Sequence, residues 1–283
     1  MLRSLVGSEM CIRDRNKIIK RKMNMILLFD IGNTNIVLGL AINKKIHKTF
    51  RYVTNSKLTE DDYFQKINAS IGDTFTETIE GAIISSVVPQ LDYIFINMIE
   101  KYYKIKPLVV GPGLKSGLQI KLENPKQLGA DLLCDAVGAY IKYPGTTIII
   151  DMGTATKLLV VTKNKEFIGG AICAGIRGSL DSLISTTSKL SRTAIEAPSS
   201  VIGNETISCI QSGIVYGHTA MIEGLIKKFK NELALDDANI ILTGGYAKII
   251  KDLLEIDCMY DENILLDGLF YIYQKNKNLI NKS

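Results

Sequence analysis

Two segments of this chain, 121 residues apart, are written to one plan, and that repetition constrains the fold more than any other feature. The first, Met25–Leu40, reads MILLFDIGNTNIVLGL; the second, Thr147–Val161, reads TIIIDMGTATKLLVV. Each has an apolar run of strand length, a carboxylate near its end (Asp30, Asp151), a glycine two residues on (Gly32, Gly153), polar turn residues and an apolar return. The next turns also correspond, Asn43-Lys44-Lys45 with Lys163-Asn164-Lys165. Alone, such a turn has two readings. It is either an ordinary hairpin, since Asp, Gly and Asn are turn formers, or an anion-and-metal site where glycine admits a phosphate to the backbone. Self-similarity at this scale means two copies of one α/β unit. Two such units facing each other would set Asp30 and Asp151 on opposite walls of one cleft, the place for phosphates and metal.

Between the repeats the pattern alternates. Ile46–Val53 reads as a third strand, and Thr59–Ile71 as a helix capped by Thr59. Gly81–Val88 is a buried strand ended by Pro89, and Leu91–Tyr103 an amphipathic helix. Leu108–Gly111 is a short strand leading into the glycine-rich loop Gly111–Gly117. Asn124-Pro125 opens a helical region that carries Gly129, Ala130 and Asp131 and runs on to Tyr140. Asn239–Ala247 stands to the second half as Ala82–Pro89 stands to the first. His218–Lys230 is an amphipathic helix whose Met221, Ile222, Leu225, Ile226 and Phe229 suit core packing better than a dimer face. The expectation is an α/β fold of two duplicated lobes with mixed sheets, one over residues 25–143 and the other over 144–283.

Composition narrows the function. With 46% hydrophobic residues the chain can bury a large core, and no apolar run approaches the ~20 residues a membrane span needs. Five scattered cysteines with no CxxC pair suggest neither a zinc knuckle nor a disulfide framework, and fit a reducing, cytoplasmic setting. Two histidines, His47 and His218, leave little for a His-based metal cluster or a Ser–His catalytic system. The net charge of +5 comes from residues 1–24, with seven basic and two acidic side chains. The rest balances at 27 against 27, so the body has no overall basic bias for nucleic acid. Residues 1–24 lack the apolar core of a secretory signal. Their string Val6–Arg15, VGSEMCIRDR, resembles translated adapter sequence, so a non-native or disordered basic extension over residues 1–24 is expected, with Met23 or Met25 a natural start.

A series of motifs follows in order: Asp30–Asn35, Gly129-Ala130-Asp131, Asp151–Ala155, Gly169–Ile172, Ser188-Lys189-Leu190, Ile202-Gly203 with Thr206, Ser212–Ile214 and Thr243-Gly244-Gly245. From Met25 to about Tyr273 this series resembles the acetate and sugar kinase/Hsp70/actin superfamily, and within it the type III pantothenate kinases. The resemblance implies two actin-like (ribonuclease H-like) lobes around a nucleotide cleft. It implies phosphorylation of pantothenate to 4'-phosphopantothenate, the first step of coenzyme A biosynthesis. ATP with Mg2+, a monovalent cation (K+ or NH4+), and a homodimer with the acceptor site near its interface are implied too. By the same resemblance Asp30, Ile31, Gly32, Asn33, Thr34, Asn35, Ile36 and Val37 cradle the ATP phosphates, with Asp30 reaching magnesium directly or through water. Thr154 contacts ATP, and Asp151 binds the monovalent cation. Asp131 is the general base, and Gly129, Ala130, Leu132 and Thr206 complete the acceptor site. Gly244-Gly245 either lets an adenosine lie on backbone or is a plain strand-to-helix turn.

Departures from the family pattern gather on the acceptor side. Leu132 replaces an arginine that could hold a carboxylate bidentately. Leu122 stands for tyrosine, Lys157 for threonine, Ala174 for proline and Glu205 for asparagine. Either pantothenate is bound through other cations, Lys126 or Lys157, or the acceptor is another small molecule. A third reading is a non-catalytic, transcription-activator-like relative, against which Asp30, Asp131 and Asp151 all remain.

Overall fold

The computed structural model describes residues 25–72, 79–186, 193–235 and 237–282. The expectation for residues 1–24 and the Ser188-Lys189-Leu190 motif fall outside them. Strand β1 (Met25–Ile31) is apolar along its length because it is buried on both faces, in the middle of a sheet. It turns into β2 (Asn35–Ile42), which turns into β3 (Lys45–Val53), both pairings antiparallel. Helix α1 (Glu60–Ile71) begins with a capping box, Thr59 and Asp62 each satisfying the other's backbone N–H. Strand β4 (Ile79–Ser86) returns parallel to β1, and β5 (Leu108–Val109) parallel to β4, giving the order β3-β2-β1-β4-β5.

The second sheet repeats this arrangement. Strands β7 (Thr147–Met152), β8 (Ala155–Val161) and β9 (Glu166–Ala174) form an antiparallel run. β10 (Asn239–Thr243) and β11 (Met259–Tyr260) then add parallel to β7. Its order, β11-β10-β7-β8-β9-β6, is that of the first sheet with β6 (Gln119–Ile120) added. A fold of two α/β units with mixed sheets is therefore what the chain adopts. Two elements pack away from their neighbours in sequence. β6, which follows the first sheet's strands in the chain, joins the second sheet, and α7 (Ile264–Asn276), from the far end, packs on β1 and β4 of the first.

Helices coat both sheets. α1 and α2 (Pro89–Met98) cover one face of the first sheet, with Phe95 wedged against Phe29 and Tyr63. α4 (Ile176–Ser185), the long α5 (Thr206–Glu232) and the short α6 (Ala247–Ile250) cover one face of the second. Met221, Ile222, Leu225, Ile226 and Phe229 belong to that core, as their spacing suggested. Between the sheets lie α3 (Ala130–Lys142) and α7, packed against Leu28 and Ile83 on one side and Ile149 and Ile241 on the other. The order across the molecule is helices, sheet, helix pair, sheet, helices. Among the described residues no helix is long and apolar enough to cross a membrane.

Two expected helices differ in detail. The Leu91–Tyr103 helix is regular only to Met98, after which Ile99–Tyr103 widens into a π-helical turn. The region opened by Asn124-Pro125 is broken: Asn124 caps only a 3-10 turn, Pro125–Gln127, Leu128 is extended, and α3 starts afresh after Gly129. That break puts Asp131 in the first turn of α3, where the helix dipole favours a carboxylate.

The central pair, α3 and α7, cross at backbone contact. A Cβ on Gly138 would lie 1.9 Å from the Ile264 carbonyl oxygen, and one on Gly268 1.9 Å from that of Cys134. In an ordinary helix Gly→Ala is stabilising by up to ~1 kcal/mol. Here the sign reverses, because any side chain drives the two helices apart. Gly138→Ala and Gly268→Ala should each destabilise by about 1–3 kcal/mol, the range for overpacking a tight core, measured as a lowered thermal midpoint. An unchanged or raised midpoint would contradict the close crossing.

Candidate active site

Strand register builds the site. In the first hairpin Asp30 lies opposite Val37; in the second, Asp151 lies opposite Lys157. The tips of the two hairpins meet, Thr34 Oγ1 lying 2.9 Å from Thr154 Oγ1, so the repeated turns face each other. Beneath them α3 brings in Asp131 from its first turn. Lys157 Nζ donates to Asp131 Oδ2 at 2.8 Å and to Asp151 Oδ2 at 2.7 Å. These three side chains are only 13–17% exposed. Burial pulls the Lys157 pKa down, but Asp151 and Asp131 outweigh it and hold the ammonium firmly protonated.

Two more carboxylates share this field. Asp30 accepts from Ser85 Oγ at 3.3 Å, a weak bond, and has a valine where Asp151 has a lysine. Burial, then the charges of Asp131 and Asp151, push its pKa up to about 7; Lys157 and Ser85 offset this only in part. Asp135, one helical turn after Asp131, is 1% exposed, and neither of its carboxylate oxygens has a hydrogen-bond partner among the described residues. Burial, then Asp151, Asp131 and Asp30, raise its pKa well above the usual range against the pull of Lys157. Both environments favour the neutral acid.

The expected site residues separate into groups. Asp30, Asp131 and Asp151 form one electrostatic cluster. Asn33, Thr34 and Thr154 are exposed at the turn tips, with Gly32 and Asn35 beside them. Ile31 and Ile36 are fully buried in the first lobe's core, and Val37 packs in the core beside α3 and α7, so these three offer a phosphate only backbone. Gly129 and Ala130 form the start of α3. Leu132 packs in the apolar cluster that also holds Leu122 and Leu128, so two of the departures share one apolar wall. Thr206 is exposed in the first turn of α5 and has no hydrogen bond to these carboxylates. Lys157, one of two cations suggested for an acceptor carboxylate, is instead held by the protein's own carboxylates; Lys126 is exposed in the 3-10 turn.

Gly244 has φ +96°, and a Cβ there would fall 2.6 Å from the Met152 backbone, so it is required by the β10 turn closing over the end of β7. Gly245 faces open space. Sequence reasoning missed Asp135. Its signal was a carboxylate at i+4 from Asp131, within the apolar run from Cys134 to Ala139.

No three His, Cys, Asp or Glu side chains among the described residues are gathered closely enough to hold a metal by themselves. Magnesium in phosphotransferases needs less, taking one or two carboxylates and the phosphate oxygens of its nucleotide. Asp30 fits that role, since it lacks a cationic partner of its own. The donor set for a monovalent cation at Asp151 does not fit, because Oδ2 is already occupied by an ammonium.

The family model for type III pantothenate kinase matches residues 26–228. The chain belongs to that family. It is accordingly a kinase of the acetate and sugar kinase/Hsp70/actin superfamily, and its family implies ATP and a divalent metal. The fold recurs in solved structures. A Campylobacter jejuni protein described as a conserved candidate transcriptional activator of the Baf family superposes with a TM-score of 0.58 at 17% identity, over 89% of this chain and 99% of that one. Component A of the Acidaminococcus fermentans (R)-2-hydroxyglutaryl-CoA dehydratase does so with 0.50 at 16%, again over 89% and 99%. At such identities these likenesses establish the two-lobed fold alone.

The Asp30 environment makes a pH prediction for the ligand-free protein. Its pKa is about 7 in the folded chain against 3.8 for an unperturbed aspartate, so the folded chain holds the extra proton between those limits. Stability from this group is therefore full below pH 4 and lost as pH rises through 7. Asp30→Asn should flatten that slope and raise the thermal midpoint at pH 8 by several degrees. Equal midpoints for variant and parent at pH 8 would count against a strained, buried carboxylate.

Proposed function

We propose that this kinase phosphorylates pantothenate with ATP, giving 4'-phosphopantothenate. The observation that carries the reading is the family match together with Asp131, retained in the first turn of α3 beside the meeting hairpins. Phosphoryl transfer asks for alignment and charge neutralisation more than covalent chemistry. The turn from Gly32 to Asn35 offers the exposed Asn33 and Thr34 to the nucleotide, and Thr154 is exposed on the facing lobe. Asp30 would hold the magnesium, which supplies charge neutralisation on the transferring phosphoryl group. Asp131 accepts the proton of the acceptor hydroxyl. Lys157 grips one of its oxygens, which fixes the carboxylate's orientation. Thr206 belongs to the acceptor side of this reading.

The assembly proposed is a homodimer with the acceptor site near its interface, working in the cytoplasm without nucleic acid. A second acceptor class stays open on one observation: Leu132 and Leu122 form an apolar wall where an anionic substrate would want donors. An ATP-consumption assay with Mg2+ over a panel of small hydroxyl acceptors decides between them. Pantothenate should be the preferred acceptor; turnover only with another acceptor would replace that assignment. Asp131→Asn should lower kcat by roughly 10²–10⁴ while the KM for ATP changes little, the span for a lost general base. A near-normal kcat would remove Asp131 from that role.

A further inference from the structure

We propose that Lys157 is a tethered monovalent cation, a positioning residue whose ammonium stands where a free K+ or NH4+ would bind, so that this kinase needs neither. The inference rests on the kinase reading above for its activity arm alone. Three observations carry it. The register of the second hairpin fixes Lys157 directly opposite Asp151. Its nitrogen binds Asp151 Oδ2 and Asp131 Oδ2 at 2.7 and 2.8 Å, the contacts of a charge-assisted hydrogen bond, within a largely buried pocket. The corresponding place in the first hairpin holds Val37, so the lysine is a property of the second copy and not of the repeat.

Charge balance explains why one cation is required there. Asp131 and Asp151 bring two largely buried carboxylates, 17% and 13% exposed, to the same ammonium. Two buried carboxylates sharing one region repel each other unless a positive charge sits between them. An ammonium on a lysine stem does this at an effective concentration no free ion matches, since the chain holds it in place. It also holds Asp131 at a fixed distance from Asp151, so the base is aligned before any substrate arrives. Shortening Lys157 to threonine removes the charge and opens a space the size of the ammonium between two oxygens. A free monovalent cation should then fill it.

The test compares the full chain with Lys157→Thr and Lys157→Gln in choline, sodium, potassium and ammonium chlorides at equal ionic strength. Thermal midpoints of the ligand-free proteins form the first arm, which needs no turnover. The parent should melt alike in all four salts, whereas Lys157→Thr should melt lower in choline and gain several degrees in potassium or ammonium. ATP turnover forms the second arm. The parent should vary less than twofold among the salts, and Lys157→Thr should be at least tenfold slower in choline and largely restored by potassium or ammonium. A parent that is stabilised or activated severalfold by potassium over choline and sodium overturns the proposal, and this outcome needs no variant to fold. Folded variants that are weakened but indifferent to the cation also overturn it, reducing Lys157 to a structural ion pair. Absence of turnover with every acceptor would sink the kinase reading while leaving the melting arm to judge Lys157.

Discussion

Everything in this molecule hangs on how closely two helices can approach. The helices carrying Gly138 and Gly268 touch backbone to backbone, and they form the single layer that both sheets share. A side chain at either glycine would thicken that layer. The distance between the sheets would grow, and with it the gap between the hairpin tips that now meet at Thr34 and Thr154. Asp131 is carried on the same layer, so its reach to Lys157 on the second sheet depends on the same spacing. Small residues at an interface thus set an electrostatic geometry some turns away.

That geometry concentrates negative charge. Four aspartates from three segments share one region with a single lysine, and burial makes each charge expensive. The protein resolves this unevenly. Asp131 and Asp151 pair with Lys157, while Asp30 and Asp135 lack a cation of their own. A site poised in this way is short of positive charge, which suits a nucleotide arriving with its metal. The apolar wall of Leu122, Leu128 and Leu132 stands in contrast to it. A charged lining and an apolar one thus adjoin on neighbouring elements.

Much of the fold could be read from residues alone, because its strongest signals are local. The apolar runs ending in Asp30 and Asp151, the turn glycines and the Thr59 cap each act within a few residues, and the repeat multiplied their weight. What escaped was set by long-range packing. The sequence around Asn124-Pro125 looks like one helix start, but the extended Leu128 places the true start at Ala130. Asp135 is an ordinary polar residue of an amphipathic helix until tertiary packing buries it. Lys157 was visible as an unexpected residue, yet its partners depended on hairpin register and on where α3 lies. The exchange of β6 and α7 between the sheets has no local signature at all.

That exchange also governs how the chain can fold as it is made. Leu28 and Ile83 of the first sheet are sealed partly by Leu269 and Ile272, which lie near the far end of the sequence. The first sheet therefore keeps this face only partly covered throughout synthesis of the second, since N-terminal units normally fold first on the ribosome. Completion waits for the last helix to dock. The two lobes repeat one arrangement, yet the first is completed by a helix from the far end, and a nascent chain stalled before residue 264 would present that part of its face to chaperones.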